Sequence, residues 1–245
     1  HNLFFESIMA FGSQYRFYDL YASWNDILSA CFVLCDQSDL FDGSSQFIIN
    51  ILYGEKGTDW VWKMIVLASK SPRRKEILKS LGYEFIICPA KKDEVFDLCL
   101  TLDEALEKVA LSKGKEVQEQ YPDAIILSAD TIVCLDHTIL GKPKSKDEAF
   151  QTLFSLSNRK HQVKTGVCLI YKNQVYSHVE TTDVYFRELS KKDIQTYVDS
   201  GKCMDKAGSY GIQECDFVDH IEGDYTNVVG LPKHVVESMM KCVAL

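Results

Sequence analysis

Met64-Ile65-Val66-Leu67-Ala68-Ser69-Lys70-Ser71-Pro72-Arg73-Arg74 is the stretch from which the fold can be read. Five apolar or small residues predict a short buried strand, and a polar turn follows. Ser71 before Pro72 marks a helix start, with a hydroxyl cap and a proline at the first helical position. Ile77, Leu78 and Leu81 then recur at helical spacing, and Gly82 ends the helix. A strand that enters a helix through a tight turn presents unpaired backbone N–H groups and the positive end of the helix dipole to the same point, which favours an anion there. Ser69 and Ser71 add hydroxyl donors, and Arg73 and Arg74 can grip phosphate oxygens in pairs. A plain capped helix with two solvated arginines fits these residues equally well.

Outward from this unit, strands and helices succeed one another. Phe85–Cys88 predicts a second strand and Leu102–Gln120 a long helix with Ala105, Leu106, Val109 and Ala110 on one face. Ala124–Leu127 is a buried strand that continues past Asp130 into Ile132–Leu135. Lys146–Leu156 is helical. Val167–Tyr171 and Val175–His178 pair as a hairpin around Lys172-Asn173, and Val184–Phe186 adds another strand. A helix capped by Ser190 and a last helix after Pro232 complete an α/β or mixed α+β pattern around one sheet.

The chain has 245 residues, 46% hydrophobic and 25% charged, which is a globular composition. Its net charge of −8 excludes a general nucleic-acid or anionic-membrane binder, so an anionic substrate must be met by a local basic cluster. Nine scattered cysteines without metal-ligand spacing predict reduced thiols in a cytoplasmic protein. No apolar run near the N-terminus approaches the ~20 residues of a membrane helix. The charge and the aromatics are unevenly spread. Residues 1–63 hold 14 of the 28 aromatics and a net charge of −5 without a clear period, so they read as an N-terminal extension to a folded domain at 64–245. An appendage, a partner-binding arm and translated upstream sequence are all compatible with that segment.

Further along, Ser128-Ala129-Asp130-Thr131 places an acid at the end of an apolar strand. A carboxylate is costly to bury there unless it holds a metal, a cation or a reacting water, although capping a turn is a second use. Gly141-Lys142-Pro143 offers a lysine on a rigid turn, suited to a phosphate. The run Asp205 to Gln213 sets glycines beside an amide able to read a base edge, and Gly223 to Pro232 forms another glycine-framed loop.

Together LASKSPRR, SADTIV, GKP, LSNRKHQVKTG, MDKAGSYGIQ and GDYTNVVGLP resemble, in order and spacing, the Maf family of nucleoside triphosphate pyrophosphatases. The resemblance implies an α/β fold with an elongated mixed β-sheet flanked by helices, two lobes and a central cleft, similar to inosine triphosphate pyrophosphatases. It implies hydrolysis of the α–β phosphoanhydride of a nucleoside triphosphate with a divalent metal, Mg²⁺ or Mn²⁺. Asp130 matches the catalytic residue, as base or metal ligand. Ser69, Arg73, Arg74, Lys142 and, on a helix, Lys113 match the phosphate-binding positions, with Lys206 a further cation nearby. Glu94 in Asp93-Glu94 matches a metal ligand. Gly114 stands where the family has alanine. Arg73, Thr131 and Gln213 resemble the specificity residues of the subgroup acting on dTTP and UTP. The glutamine amide suits this, since it both donates and accepts, as a pyrimidine edge requires. The implied partners are the triphosphate and, at most, a second copy in a homodimer. A nucleotide-binding regulator of septum formation with weak hydrolysis is the second reading.

Overall fold

Ile65–Leu67 form strand β1, buried on both faces. The turn after it leads into helix α1 (Pro72–Ser80), where Ser71 accepts a hydrogen bond from the Arg74 amide, as the sequence predicts. This is a computed structural model, and it describes residues 64–91, 96, 97, 99–136 and 138–244. The expectations for residues 1–63 and for Glu94 lie outside the described residues.

The remaining elements are β2 (Phe85–Ile87), α2 (Leu102–Gln118), β3 (Ile125–Leu135), β4 (Thr138–Leu140), α3 (Lys146–Leu156), β5 (Lys160–Tyr171), β6 (Gln174–Phe186), α4 (Lys191–Asp199), β7 (Val218–Glu222), α5 (Tyr225–Val229) and α6 (Lys233–Ala244). Capping boxes at Thr101 and Ser190 start α2 and α4, each hydroxyl bonding the third residue on while that residue's carboxylate bonds back. Seven strands make one mixed sheet in the order β2-β1-β3-β5-β6-β7, with β4 paired to β3. β1 runs parallel to β2 and β3, and the other pairings are antiparallel.

β3 continues through Asp130 to Leu135, as the apolar run after it predicts, so Asp130 lies within the strand and not at its end. Val184–Phe186 is the far end of β6, so the hairpin around Lys172-Asn173 is long and includes residues 160–166. Short β4, β7 and α5 were not read from the sequence at all.

The register of β3 creates the site. Its residues 125–127 pair with β1 and its residues 133–135 with β4, on the same edge. Between them, residues 128–132 pair only with β5 on the other side. Asp130 stands at the middle of this gap in the sheet edge. Two apolar cores flank it on one face of the sheet. Ile125, Leu127 and Ala129 join α1 and α6 in the first, while Val133 and Leu135 join α3 and α4 in the second. α2 covers the opposite face, with Ala110 and Val117 against Ile126, Cys168 and Ile170.

Candidate active site

A cavity of about 750 Å³ opens at the gap in the sheet edge. Ser69, Arg73, Arg74, Lys113, Asp130, Thr131, Lys142 and Gln213 all line it, so every sequence-predicted site residue within the described part is brought together. The arginines arrive on α1 from the β1 side of the gap and Lys142 follows β4 on the other. Lys113 comes from α2 on the face that Asp130 shares.

The Lys113 Nζ lies 2.6 Å from Asp130 Oδ1. Both side chains are largely buried, with relative exposures of 14% and 9%. Pairing is what makes such a carboxylate tolerable there. Two glycines allow α2 this close to the sheet. A Cβ at Gly166, the β5 partner of Asp130, would lie 2.9 Å from Leu106 Cγ and 3.0 Å from the Leu106 carbonyl oxygen. A Cβ at Gly114 would lie 2.9 Å from both Ser128 Oγ and Ile170 Cδ1, which accounts for glycine there in this chain.

The two arginines differ. Arg74 Nε donates to the Gly230 carbonyl at 2.8 Å, Nη1 to Ser69 Oγ at 3.2 Å and Nη2 to Thr131 Oγ1 at 2.9 Å. It ties the β1–α1 turn, β3 and the loop after α5 together. The chain continues inward, since Thr131 and Thr165 hydroxyls lie 2.9 Å apart and Thr165 donates to the Asn227 carbonyl at 3.1 Å. Thr131, a specificity residue by resemblance, thus holds Arg74 with the oxygen that faces it. Arg73 instead reaches toward Asp205, at 3.8 Å. Lys142 is exposed on its turn, and the neighbouring Gly141 carbonyl accepts from the Gly208 amide at 3.2 Å.

Lys206 also lines the cavity, but its ammonium donates to the Lys202 carbonyl and Asp205 Oδ1, each at 2.7 Å, and pairs with Glu214 Oε2 at 3.2 Å. Burial opposes the charge of Asp205, yet the hydrogen bond and charge of Lys206 and the charge of Arg73 outweigh it and hold this carboxyl below its ordinary range. Asp205 and Glu214 were missed by sequence reasoning; two acids around a lysine in a glycine-rich run were the available signal. Asp224 is not among the cavity residues; it caps α5 through the Thr226 amide at 2.6 Å.

Among the described residues, no group of three or more His, Cys, Asp or Glu side chains is arranged to hold a metal ion. The donor chemistry suits a different kind of site. Asp130 is a hard oxygen donor amid phosphate-binding groups, and Mg²⁺ is commonly held by one or two carboxylates together with substrate phosphates instead of an all-protein cage.

A helix N-terminus, converging cations and one buried acid at a gap in a mixed sheet define an α/β protein whose cavity has the chemistry of a polyphosphate site. A family model described as Maf-like protein matches residues 64–243, and the chain belongs to that family. It is 45% identical over 172 residues to the dTTP/UTP pyrophosphatase of Halalkalibacterium halodurans, covering 69% of this chain and 90% of the relative. Identity is 46% over 178 residues with the Syntrophomonas wolfei protein of that name, covering 71% and 94%. With the Acinetobacter baylyi one it is 41% over 179 residues, covering 72% and 98%.

Proposed function

We propose that this chain hydrolyses a pyrimidine nucleoside triphosphate of the dTTP/UTP kind, the substrates for which its relatives are named, into the monophosphate and pyrophosphate. The observation that carries this reading is Asp130, paired with Lys113 in a cavity lined by Ser69, Arg73, Arg74 and Lys142. The cations and the α1 N-terminus hold the triphosphate and orient its α-phosphorus. Among the described residues, Asp130 Oδ1 accepts from Lys113 and no protein group donates to Oδ2. Oδ2 takes a proton from water as the water oxygen attacks the α-phosphorus. The bond from that phosphorus to the bridging oxygen breaks, and pyrophosphate leaves with its charge met by Lys142 and the arginines. Gln213, exposed on the cavity wall, offers a donor and an acceptor to the carbonyl and N–H edge of thymine or uracil.

A divalent ion, Mg²⁺ or Mn²⁺, would be held by Asp130, by Glu94 and by the substrate's own oxygens. When bound, it supplies charge neutralisation and polarises the α-phosphate. All the residues named come from one chain, so a homodimer would leave this chemistry unchanged. No described helix is long and apolar enough to cross a membrane, and the seven described cysteines are free thiols, which supports the cytoplasm as its place of action.

Pyrophosphate release from dTTP and UTP by the full chain, with Mg²⁺ or Mn²⁺, tests the reading. Asp130→Asn is expected to lower turnover by about 10²–10⁴ while nucleotide still binds, the range for losing a positioned base. Parental turnover in that variant would remove Asp130 from the chemistry. Nucleotide binding without pyrophosphate release by the parent would favour a regulator.

A further inference from the structure

We propose that Lys206 is a positioning residue, a clip that fixes the loop carrying Gln213 at the base-reading end of the cleft. The inference rests on the reading of Gln213 given above and deepens it. The Lys206 ammonium donates to the Lys202 carbonyl and the Asp205 carboxylate, each at 2.7 Å, and pairs by charge with the Glu214 carboxylate at 3.2 Å. Its side chain is 7% exposed. With two hydrogen bonds and an ion pair to this loop, the charge of Lys206 is already answered within the protein, although it lines the same cavity as the phosphate-facing cations.

The stem of this lysine also shapes the loop. A Cβ at Gly211 would lie 2.8 Å from Lys206 Cε and 3.1 Å from Cδ, so the methylenes rest directly on the Gly211 backbone. Gly211 is held from other directions too. Its amide donates to Tyr197 Oη at 3.2 Å, and its carbonyl accepts from the Glu214 amide at 2.9 Å. Gln213 thus sits in a turn whose first residue is pinned by the lysine stem and Tyr197, and whose last is pinned by the lysine ammonium. Asp205, at the other end of the clip, faces Arg73 at 3.8 Å, which links the base-reading loop to the phosphate-binding helix. Two carboxylates around one buried ammonium balance its burial, and removing the lysine frees the turn and leaves the acids facing each other.

Lys206→Met and Glu214→Gln, made in the full chain, test the clip. Each is expected to raise KM for dTTP and UTP by about tenfold, because a looser turn presents Gln213 to the base less often, with kcat within about threefold of the parent. The inhibition constant of inorganic tripolyphosphate, which has no base, is expected to stay at the parental value in both. A rise in that constant for Lys206→Met would make the lysine a direct phosphate ligand and overturn the clip. A lower kcat at unchanged KM would report only a smaller folded fraction and would overturn it as well. If the parent releases no pyrophosphate from either nucleotide, the function reading fails separately. Equilibrium binding of dTTP against tripolyphosphate then reads the clip, weakened for the nucleotide alone if it holds and weakened for both or neither if it does not.

Discussion

Arg73 and Arg74 are neighbours in the first turn of α1, and their side chains meet different surroundings. Arg74 gives hydrogen bonds to Gly230, Ser69 and Thr131, each from a separate part of the chain, while Arg73 has an ion pair at 3.8 Å with the exposed Asp205. Arg74→Ala is therefore expected to cost about 2 kcal/mol of stability, as charged hydrogen bonds are lost and partly buried oxygens orphaned. Arg73→Ala is expected to stay within about 0.5 kcal/mol, because long exposed ion pairs contribute little, and to act on nucleotide binding instead. Urea denaturation of the two variants measures this, and equal losses would contradict the division. Ser209 supplies a second case. It is fully buried, its hydroxyl has no hydrogen-bond partner among the described residues, and its φ is +62°, a region that side chains rarely adopt. Ser209→Ala keeps the backbone strain but removes the orphaned hydroxyl, so the free energy of unfolding is expected to rise by about 1 kcal/mol. A clear loss of stability would mean that the hydroxyl has a use that its surroundings do not reveal.

At the level of elements, the contact between α2 and the sheet sets the distance from Lys113 to Asp130. Gly166→Ala would drive a methyl group against the Leu106 backbone, which has no free end to swing away. The expected cost is about 1–3 kcal/mol from overpacking, together with a fall in turnover as the helix moves back from β3. A variant with parental stability and turnover would show that the helix yields without disturbing the pair. The helices were legible in the sequence because their signals are local: Ser71, Pro72 and Ser190 are read within one turn. Residues 160–166 were not legible as strand, although Lys160, Gln162 and Lys164 alternate with His161, Val163 and Thr165. The inward set includes a histidine and a threonine, so the apolar alternation that marks a strand is broken. Those polar residues are tolerated inside because they find partners far along the chain, His161 in Tyr210 and Thr165 in Thr131 and Asn227. β7 and α5 are five residues each, too short for a period to show.

Across the molecule, the same difference between local and distant signals governs the site. A net charge of −8 coexists with a cation-lined cavity because the basic residues converge from turns far apart in sequence. Their types and turns could be read. Which of them the protein itself already engages could not, since Arg74 reaches a carbonyl 156 positions away. The second core has a global consequence of this kind. His161 is 2% exposed, its ring packs edge-on against Phe186 and Tyr210, and Nε2 lies 2.7 Å from Tyr210 Oη. Burial lowers its pKa from the ordinary 6.5 to about 4, with a small opposing effect from Asp183. Between those values the unfolded chain binds a proton that the folded chain refuses, so this contribution to stability is complete above about pH 6.5 and is lost as the pH falls toward 4. The slope is about 1.4 kcal/mol per pH unit and the total about 3 kcal/mol. Denaturation at pH 7 and pH 4.5 is expected to show this loss in the parent. In His161→Gln, which keeps a polar partner for Tyr210 but cannot titrate, the difference between the two pH values is expected to shrink by about 2–3 kcal/mol. An unchanged difference would assign the acid sensitivity to the carboxylates and leave His161 as a packing residue whose protonation the core accommodates.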